Sequence, residues 1–534
     1  MVQQGSSSVG NTLWKPDHKN FSPRLGFAYD VTGKGSTVIR GGASIIYSSF
    51  FAQQIMDGPQ NSGNGGQNNV AQNPTGACRT DPSLTGGSCP AGGTFGGTID
   101  FGQLTFSNAV SKQLGWDPGP AYPGGGLSCL ATAPCSLRAV DPHLKTPYMV
   151  NYNFGVQHSI TNNLSLDVGY VGNHGGHLLG IQDINQCLVP NTGTCVRPFD
   201  GKFPWLNFIN LTENYARSNY NSLQATLTQR VTHGLDFTAG YTYGHGLDNG
   251  SLNRFGANLQ DSTRPDLEYA NSDFDVRHRL TLTASYAIPG KKGFGQLLEG
   301  WKLNTIVTLQ SSQPWSIYDT ANAFSMGTVT NPGNKTNGEI TDRWDFFGNP
   351  NDFQSTSASS FPFCSGFGVT PTGGIDTSGV TCSSTSGISG LTTSLPSSLG
   401  AQCAKVAPDP TTLAVGGCWV KGNSVLTPPV NGTFGTMGRN IFRDAGFKNV
   451  DFSVFKDFKW RERLGAQFRV EIFNLFNKPN LANPYGASTN GNSGDDPSGG
   501  FFGCSCNTPD VSAGNPLIGS GSSRVMQLGL KLMF

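Results

Sequence analysis

The sequence predicts an all-β fold, an antiparallel sheet of about eleven amphipathic strands. Three observations predict it. Eleven segments alternate apolar and polar side chains with period two, and none carries helical periodicity. The connections between them alternate strictly between short and long. The last segment, SSRVMQLGLKLMF at 522–534, puts an aromatic at the final position, where most soluble chains fray.

The first segment, PRLGFAYD, sets Leu25, Phe27 and Tyr29 on one face. STVIRGGASIIYS is weaker, with Ile39, Ala43, Ile45 and Tyr47 together. YMVNYNFGVQ sets Val150, Tyr152, Phe154 and Val156 against Asn151, Asn153 and Gln157. LSLDVGYVG opposes Leu164, Leu166, Val168 and Tyr170 to Ser165, Asp167 and Gly169. NSLQATLTQR and LDFTAGYTYG continue the pattern, the latter with Phe237, Ala239, Tyr241 and Tyr243. VRHRLTLTASYAI sets Leu280, Leu282, Ala284 and Tyr286 against Arg279, Thr281, Thr283 and Ser285. WKLNTIVTLQ and KNVDFSVFKDF follow, then RLGAQFRVEIF with Leu464, Ala466, Phe468, Val470 and Ile472 on one side. The last strand carries Met526, Leu528, Leu530, Leu532 and Phe534 on a single parity.

Alternation alone also suits a soluble sandwich. The connections discriminate. VTGKG, SITN, VTHG, PGKKGFGQLLEG and KWRE are short, several with Gly or Asn suited to tight hairpins. The others, at 49–146, 172–219, 245–274, 319–446 and 477–521, are long. That alternation is the signature of a transmembrane β-barrel in a Gram-negative-type outer membrane, with short periplasmic turns and long extracellular loops. Odd-numbered strands then run inward and the chain ends on the periplasmic side. Tyr29, Tyr286, Trp301, Phe458, Trp460 and Phe534 fall at the periplasmic rim; Tyr47, Tyr148, Tyr170, Tyr241 and Tyr243 fall at the outer one.

Composition agrees. The 534 residues include 72 Gly and 32 Pro, with 13% charged and 36% hydrophobic residues. Disorder is argued against by 34 Phe, 14 Tyr and 8 Trp at a formal charge of +1, and that balance gives no reason to expect nucleic acid. No apolar run approaches the roughly 18 residues of a spanning helix, which does not bear on a barrel. The N-terminus lacks basic and apolar signal-peptide regions, so an exported mature protein is expected to begin upstream of this chain.

All 12 cysteines fall in the long connections and in even groups, as disulfides of an oxidising compartment would. The pairs expected first are Cys187–Cys195, Cys78–Cys89 and Cys129–Cys135. Connectivity within the four-cysteine loops stays open, as does the partner of Cys504 and Cys506. The spacings match no zinc pattern.

In NSDFDVRHR, parity puts Asp273, Asp275, Arg277 and Arg279 on the lumen-facing side, with His278 pointing the other way near the outer rim. Arg469 and Glu471 make a second lumen-facing pair. Opposite charges on one face predict a pairing ladder with neighbouring strands or a plug, rather than catalysis. His174 and His177 in GNHGGHLLG lack further metal ligands, so that stretch reads as glycine-rich loop entry. VTGKG reads as a hairpin turn rather than a phosphate loop. No nucleophile–base arrangement, cofactor site or metal site is expected, and the chain does not read as an enzyme.

Five stretches resemble the β-barrel domain of Oar-like TonB-dependent receptors: NFSPRLGFAYDVTGKGSTVIRGG, YNFGVQHSITNNLSLDVGYVGNHGGHLLG, NSDFDVRHRLTLTASYAIP, GWKLNTIVTLQSSQPWSI and, most specifically, GRNIFRDAGFKNVDFSVFKDFKWRERLGAQFRVEIFNLFNKPNLANP. The resemblance spans nearly every strand from Asn20 to Phe534, whereas the long loops have no counterpart. It implies a barrel of 22 strands filled by a plug, of which this chain is the C-terminal half: residues 1–19 a loop remnant, residues 20–534 the partial barrel domain. Signal peptide, plug and first strands are then expected upstream. It further implies ligand capture by external loops and energy-coupled uptake, with outer-membrane lipid, the barrel-assembly machinery, the TonB complex and an unnamed ligand as partners. Leu530, Leu532 and Phe534 resemble the C-terminal sorting signal of outer-membrane proteins. A passive porin and a secreted β-rich adhesin are the competing readings. For the isolated chain the expectation is a curved open sheet whose last strand pairs with the tenth only.

Overall fold

The computed structural model describes residues 14–48, 135–186, 197–203, 206–251, 259–291, 296–317, 343–461, 464–484, 494–508, 521 and 523–534. Among the described residues, strands hold 51% and helices 7%. The eleven expected segments are all strands: β1 (Arg24–Asp30), β2 (Thr37–Tyr47), β3 (Tyr148–Ser159), β4 (Leu164–Asp183), β5 (Leu206–Thr232), β6 (Leu235–Asp248), β7 (His278–Ala287), β8 (Trp301–Gln310), β9 (Phe447–Arg461), β10 (Leu464–Phe473) and β11 (Val525–Met533). They form one sheet in chain order, every neighbouring pair antiparallel. Among the described residues β1 pairs only with β2, and β11 only with β10, so the sheet is open.

Register explains why period two suffices to build it. One row across the sheet reads Val156, Val168, Ala225, Tyr241, Leu280 and Leu309. The adjacent row on the opposite face reads Gln157, Asp167, Thr226, Gly240, Thr281, Thr308 and Asn449. One face is therefore apolar from strand to strand, and a slip of one residue would invert it. Its members are exposed in the isolated chain: Leu25 at 77%, Leu528 at 69%, Phe154 at 51%. Such a face needs lipid to cover it. Strands β7, β8 and β10 have 10 residues each, close to the 9–11 of a tilted spanning strand.

The expectation of a loop at 172–219 is corrected. β4 runs on for 20 residues and β5 for 27, so their hairpin projects well past bilayer thickness. The glycines that read as a loop instead make room for cross-strand rings. A Cβ on Gly172 would lie 2.3 Å from the Tyr152 ring, on Gly176 2.4 Å from Tyr148, and on Gly180 2.3 Å from Tyr215. GNHGGHLLG is thus strand, interrupted by a bulge at Gly175–Leu178 where His177 takes φ +53°. The projecting part of β5 also pairs, in parallel, with a short strand at Cys135–Val140.

The connection expected at 319–446 is likewise not simply a loop. From 343 onward it folds into a six-stranded sheet in the order Asp345–Phe347, Ser424–Thr427, Cys418–Lys421, Phe363–Ser365, Thr381–Thr385, Thr392–Leu395. Helices α1 (Gly400–Val406) and α2 (Pro410–Gly416) accompany it, α2 capped by Asp409 accepting from Thr411 N–H. Its core is aromatic: Trp315, Trp344, Phe353, Phe361, Trp419, Phe442 and Phe502 are all nearly inaccessible.

The expected aromatic rims form pairs where register brings them together. Tyr47 and Tyr148 rings lie 6.1 Å apart, and Tyr243 lies 5.1 Å from His278, whose Nδ1 shares a 2.9 Å hydrogen bond with Tyr241. The side chain of Trp460 lies outside the described residues.

Candidate functional site at the long-loop end

Two of the quoted stretches, NSDFDVRHR and GRNIFRD, meet in space. β7 begins only at His278, so Asp273 and Asp275 sit in the turn ahead of it, where strand parity does not apply. Their partners are arginines of the second stretch rather than a cross-strand ladder. Arg443 Nη2 donates to Asp275 Oδ2 at 2.7 Å, and Arg277 Nε reaches the same oxygen at 2.9 Å. Asp275 also accepts from Gly246 N–H and is 2% exposed. Arg439 Nη2 donates to Asp248 Oδ1 at 2.5 Å, and its Nη1 stands 3.7 Å from Asp273. Between the arginines, Asn440 donates to Asp273 at 2.6 Å and to Asn271 O at 2.7 Å.

A second pair continues the seam. Arg343 grips Glu268 with two bonds of 2.7 and 2.8 Å and adds a third to Gln260 at 3.1 Å. Glu268 is 1% exposed and Arg343 5%, so both charges are desolvated and each depends on the other. Asp444 closes the seam. It accepts from Gln313 N–H and Gly446 N–H, both at 2.8 Å, yet burial pushes its carboxyl up to about 6. Arg439, Arg443 and Asp444 lie between the external six-stranded fold and β9, and Arg343 just ahead of that fold; Asp248 ends β6, and Glu268, Asp273, Asp275 and Arg277 lie between β6 and β7. The seam therefore clamps the external fold onto the long-loop end of the sheet.

Chemically this is a clamp and not a reaction centre: its carboxylates are occupied by guanidinium and backbone donors. Among the described residues no group of three or more His, Cys, Asp or Glu could hold a metal ion. Sequence reasoning singled out Asp273, Asp275 and Arg277 but missed Arg343, Arg439, Arg443, Asp248 and Glu268. The available signal was the charged GRNIFRD run, which parity could not orient because it precedes β9.

The other expected sites lie apart. Arg279, on β7, is exposed opposite Thr242 and Gln310. Arg469 donates to Gln467 at 2.6 Å with its guanidinium 5.1 Å from the Phe455 ring, and Glu471 stands opposite Ser453 and Gln527. Leu530 and Leu532 are exposed on the apolar face and Phe534 follows β11 at 93% exposure. Cys78, Cys89, Cys129, Cys187 and Cys195 lie outside the described residues, as does the side chain of Cys135, whose backbone is in strand. The described cysteines pair as Cys364–Cys382, Cys403–Cys418 and Cys504–Cys506. Four of these six occupy strands or a helix of the external fold, which corrects their placement in plain loop.

Among solved structures, the outer membrane transporter YddB of Escherichia coli is similar over 96% of this chain and 40% of its own, at 9% identity and a TM-score of 0.38. A mutant of the ferric enterobactin receptor PfeA of Pseudomonas aeruginosa is similar over the same shares, at 12% identity and a TM-score of 0.36. The ferripyoverdine receptor of the same organism is 9% identical over 87% of this chain and 30% of its own, with a TM-score of 0.33. The chain thus spans two fifths or less of the length of these receptors. No curated protein matches it. The pattern of the family described as outer membrane beta barrel domain matches residues 1–503, nearly the whole chain, and with its antiparallel sheet and continuous apolar face the protein belongs to that family and to the outer membrane.

Proposed function

We propose that the chain is part of the barrel of an energy-coupled outer-membrane receptor of the Oar-like, TonB-dependent type. The observation that carries this reading is the clamped external fold: an aromatic-cored, disulfide-stapled unit held by buried ion pairs at the long-loop end of the sheet. A passive pore has little use for so large and rigid a structure at its mouth, whereas a receptor needs one to capture ligand. The single-sided pairing of β1 and β11 supports a larger closed barrel, because lipid cannot satisfy a free strand edge. Eleven strands joined to a preceding set would make the C-terminal half of 22.

In this reading residues 20–534 are the barrel domain and residues 1–19 remain of an external connection; Lys15 N–H bonding to Pro142 O at the long-loop end agrees. The polar face, with Arg279, Arg469 and Glu471, lines the lumen against a plug. TonB engages a region upstream, the assembly machinery reads Leu530, Leu532 and Phe534, and the described loop disulfides form on export. Uptake of ligand by cells expressing the full receptor, compared between hosts with and without TonB, is the test. Loss of uptake without TonB is expected; equal uptake in both hosts would establish a passive pore instead.

A further inference from the structure

Lys456 stands on the wrong face. Its register neighbours are Trp301 and Phe468, members of the apolar side, yet it is only 3% exposed. A lysine on a face that meets lipid must reach water or find acceptors. Its ammonium donates to the carbonyls of Gln296 and Glu299, and to that of Asp457 at 3.3 Å, with the Phe458 ring centroid 4.4 Å away and that of Trp301 at 5.5 Å. For those carbonyls to be within reach, residues 296–299 must lie over the outward surface of β9. Two more contacts place them there. The Trp301 indole N–H donates to Leu297 O at 2.7 Å, and the Gln296 side chain brackets Lys459, accepting from its N–H at 2.8 Å and donating to its carbonyl at 2.5 Å. Left-handed Gln296 and Gly300, at φ +70° and +73°, fold the chain back this way.

What residues 296–299 then show to their surroundings is two adjacent leucines, Leu297 at 58% exposure and Leu298 at 51%. They continue the apolar face of the sheet beyond the end of β8. We propose that residues 296–299 are a lipid-seated foot: phospholipid acyl chains of the leaflet at the short-turn end cover Leu297 and Leu298, while the carbonyls beneath hold the Lys456 charge away from them. The occupant follows from continuity: through Trp301, the patch adjoins the face already assigned to lipid. The inference rests on that assignment.

The full chain, folded into phosphatidylethanolamine–phosphatidylglycerol vesicles, carries an encoded benzoylphenylalanine at one position and is irradiated; phospholipid adducts are counted by mass spectrometry. Leu223→benzoylphenylalanine, on the apolar face opposite Tyr170 and Tyr243, reports on the lipid assignment itself. Lys34→benzoylphenylalanine, in the exposed β1–β2 turn, is the aqueous control. Adduct yield at Leu298, and independently at Leu297, is expected within about threefold of Leu223 and at least tenfold above Lys34. Yield at both leucines equal to Lys34, with Leu223 labelled, overturns the foot alone. Failure at Leu223 as well overturns the lipid assignment and the foot with it.

Discussion

The eleven-stranded sheet and the external fold are both antiparallel β-structure, and they solve opposite problems. The sheet has no interior: its apolar side chains point outward and remain bare until a membrane covers them. The external fold closes on itself, with Phe353, Phe442, Phe502, Leu413 and Leu426 wholly inaccessible, and its Arg343 is sealed in a bidentate pair with Glu268. Alternation of side chains is therefore a statement about two faces, and the surrounding solvent decides which of them is the inside.

The contrast breaks most readily at the seam. Arg343→Met strands Glu268 in a dry site, and we expect a loss of about 3–5 kcal/mol from the docking of the external fold. Limited proteolysis within residues 343–444 should become fast, while the folded sheet keeps its heat-modifiable gel migration; protection equal to the parent protein would refute the clamp. Phe353→Ala removes a ring packed against Phe346, Phe361 and Phe442 and should likewise cost about 3–5 kcal/mol. Phe154→Ala on the sheet, already half exposed, should stay within about 1 kcal/mol in detergent. Equal losses at the two phenylalanines by thermal denaturation would erase the distinction between the regions.

Removing Cys364–Cys382 or Cys403–Cys418 as alanine pairs should each cost the external fold about 2–4 kcal/mol, since they close loops of 18 and 15 residues. The sheet should not respond. A smaller effect is expected from pH. The Asp444 carboxyl, raised to about 6 from an ordinary 3.8, binds a proton in the folded state that the unfolded chain has already released. Its contribution is thus greatest below pH ~4 and declines as pH rises to about 6, by on the order of 1–3 kcal/mol, and is level above. Asp444→Asn should flatten that window in protease-protection titrations; an unchanged slope would assign it to other groups. Smallest in folded stability is Phe534→Asp, expected to lower outer-membrane assembly of the full receptor while leaving the assembled fraction as stable as the parent.

How much of this could be read in the chain divides along the same line. The eleven strands that follow one another across the sheet are legible, because a lipid-facing strand must alternate and its turn must be short; the two short strands that join it from the long connections, Cys135–Val140 and Ala270–Asn271, are not. The external fold was not, since its strands of two to five residues are too brief to display a period and its core is assembled from distant points such as Trp315, Trp419 and Phe502. The cysteines between 343 and 444 are the signal the sequence offers for it. β4 reads short for a different reason: Gly172, Gly176 and Gly180 look like breakers, whereas each is half of a contact whose other half lies on a neighbouring strand. The seam is half legible: Asp273, Asp275 and Arg277 stand out in one charged run, whereas Asp248, Glu268 and the three arginines that meet them from the far side of the fold do not.

Those ring-over-glycine contacts have a consequence for how strands β3 to β6 change over time. A methyl group at Gly172 collides with Tyr152 unless the ring swings off the strand, and the same holds for Gly176 with Tyr148 and for Gly244 with the Tyr220 hydroxyl, 2.7 Å from the added carbon. Shrinking the tyrosine first leaves a bare backbone groove; enlarging the glycine first evicts the ring. Neither step is neutral alone, although both together restore a filled surface. Such positions show sign epistasis, so descendants should exchange them in pairs across strands, and a library that randomises one strand at a time will find these columns frozen.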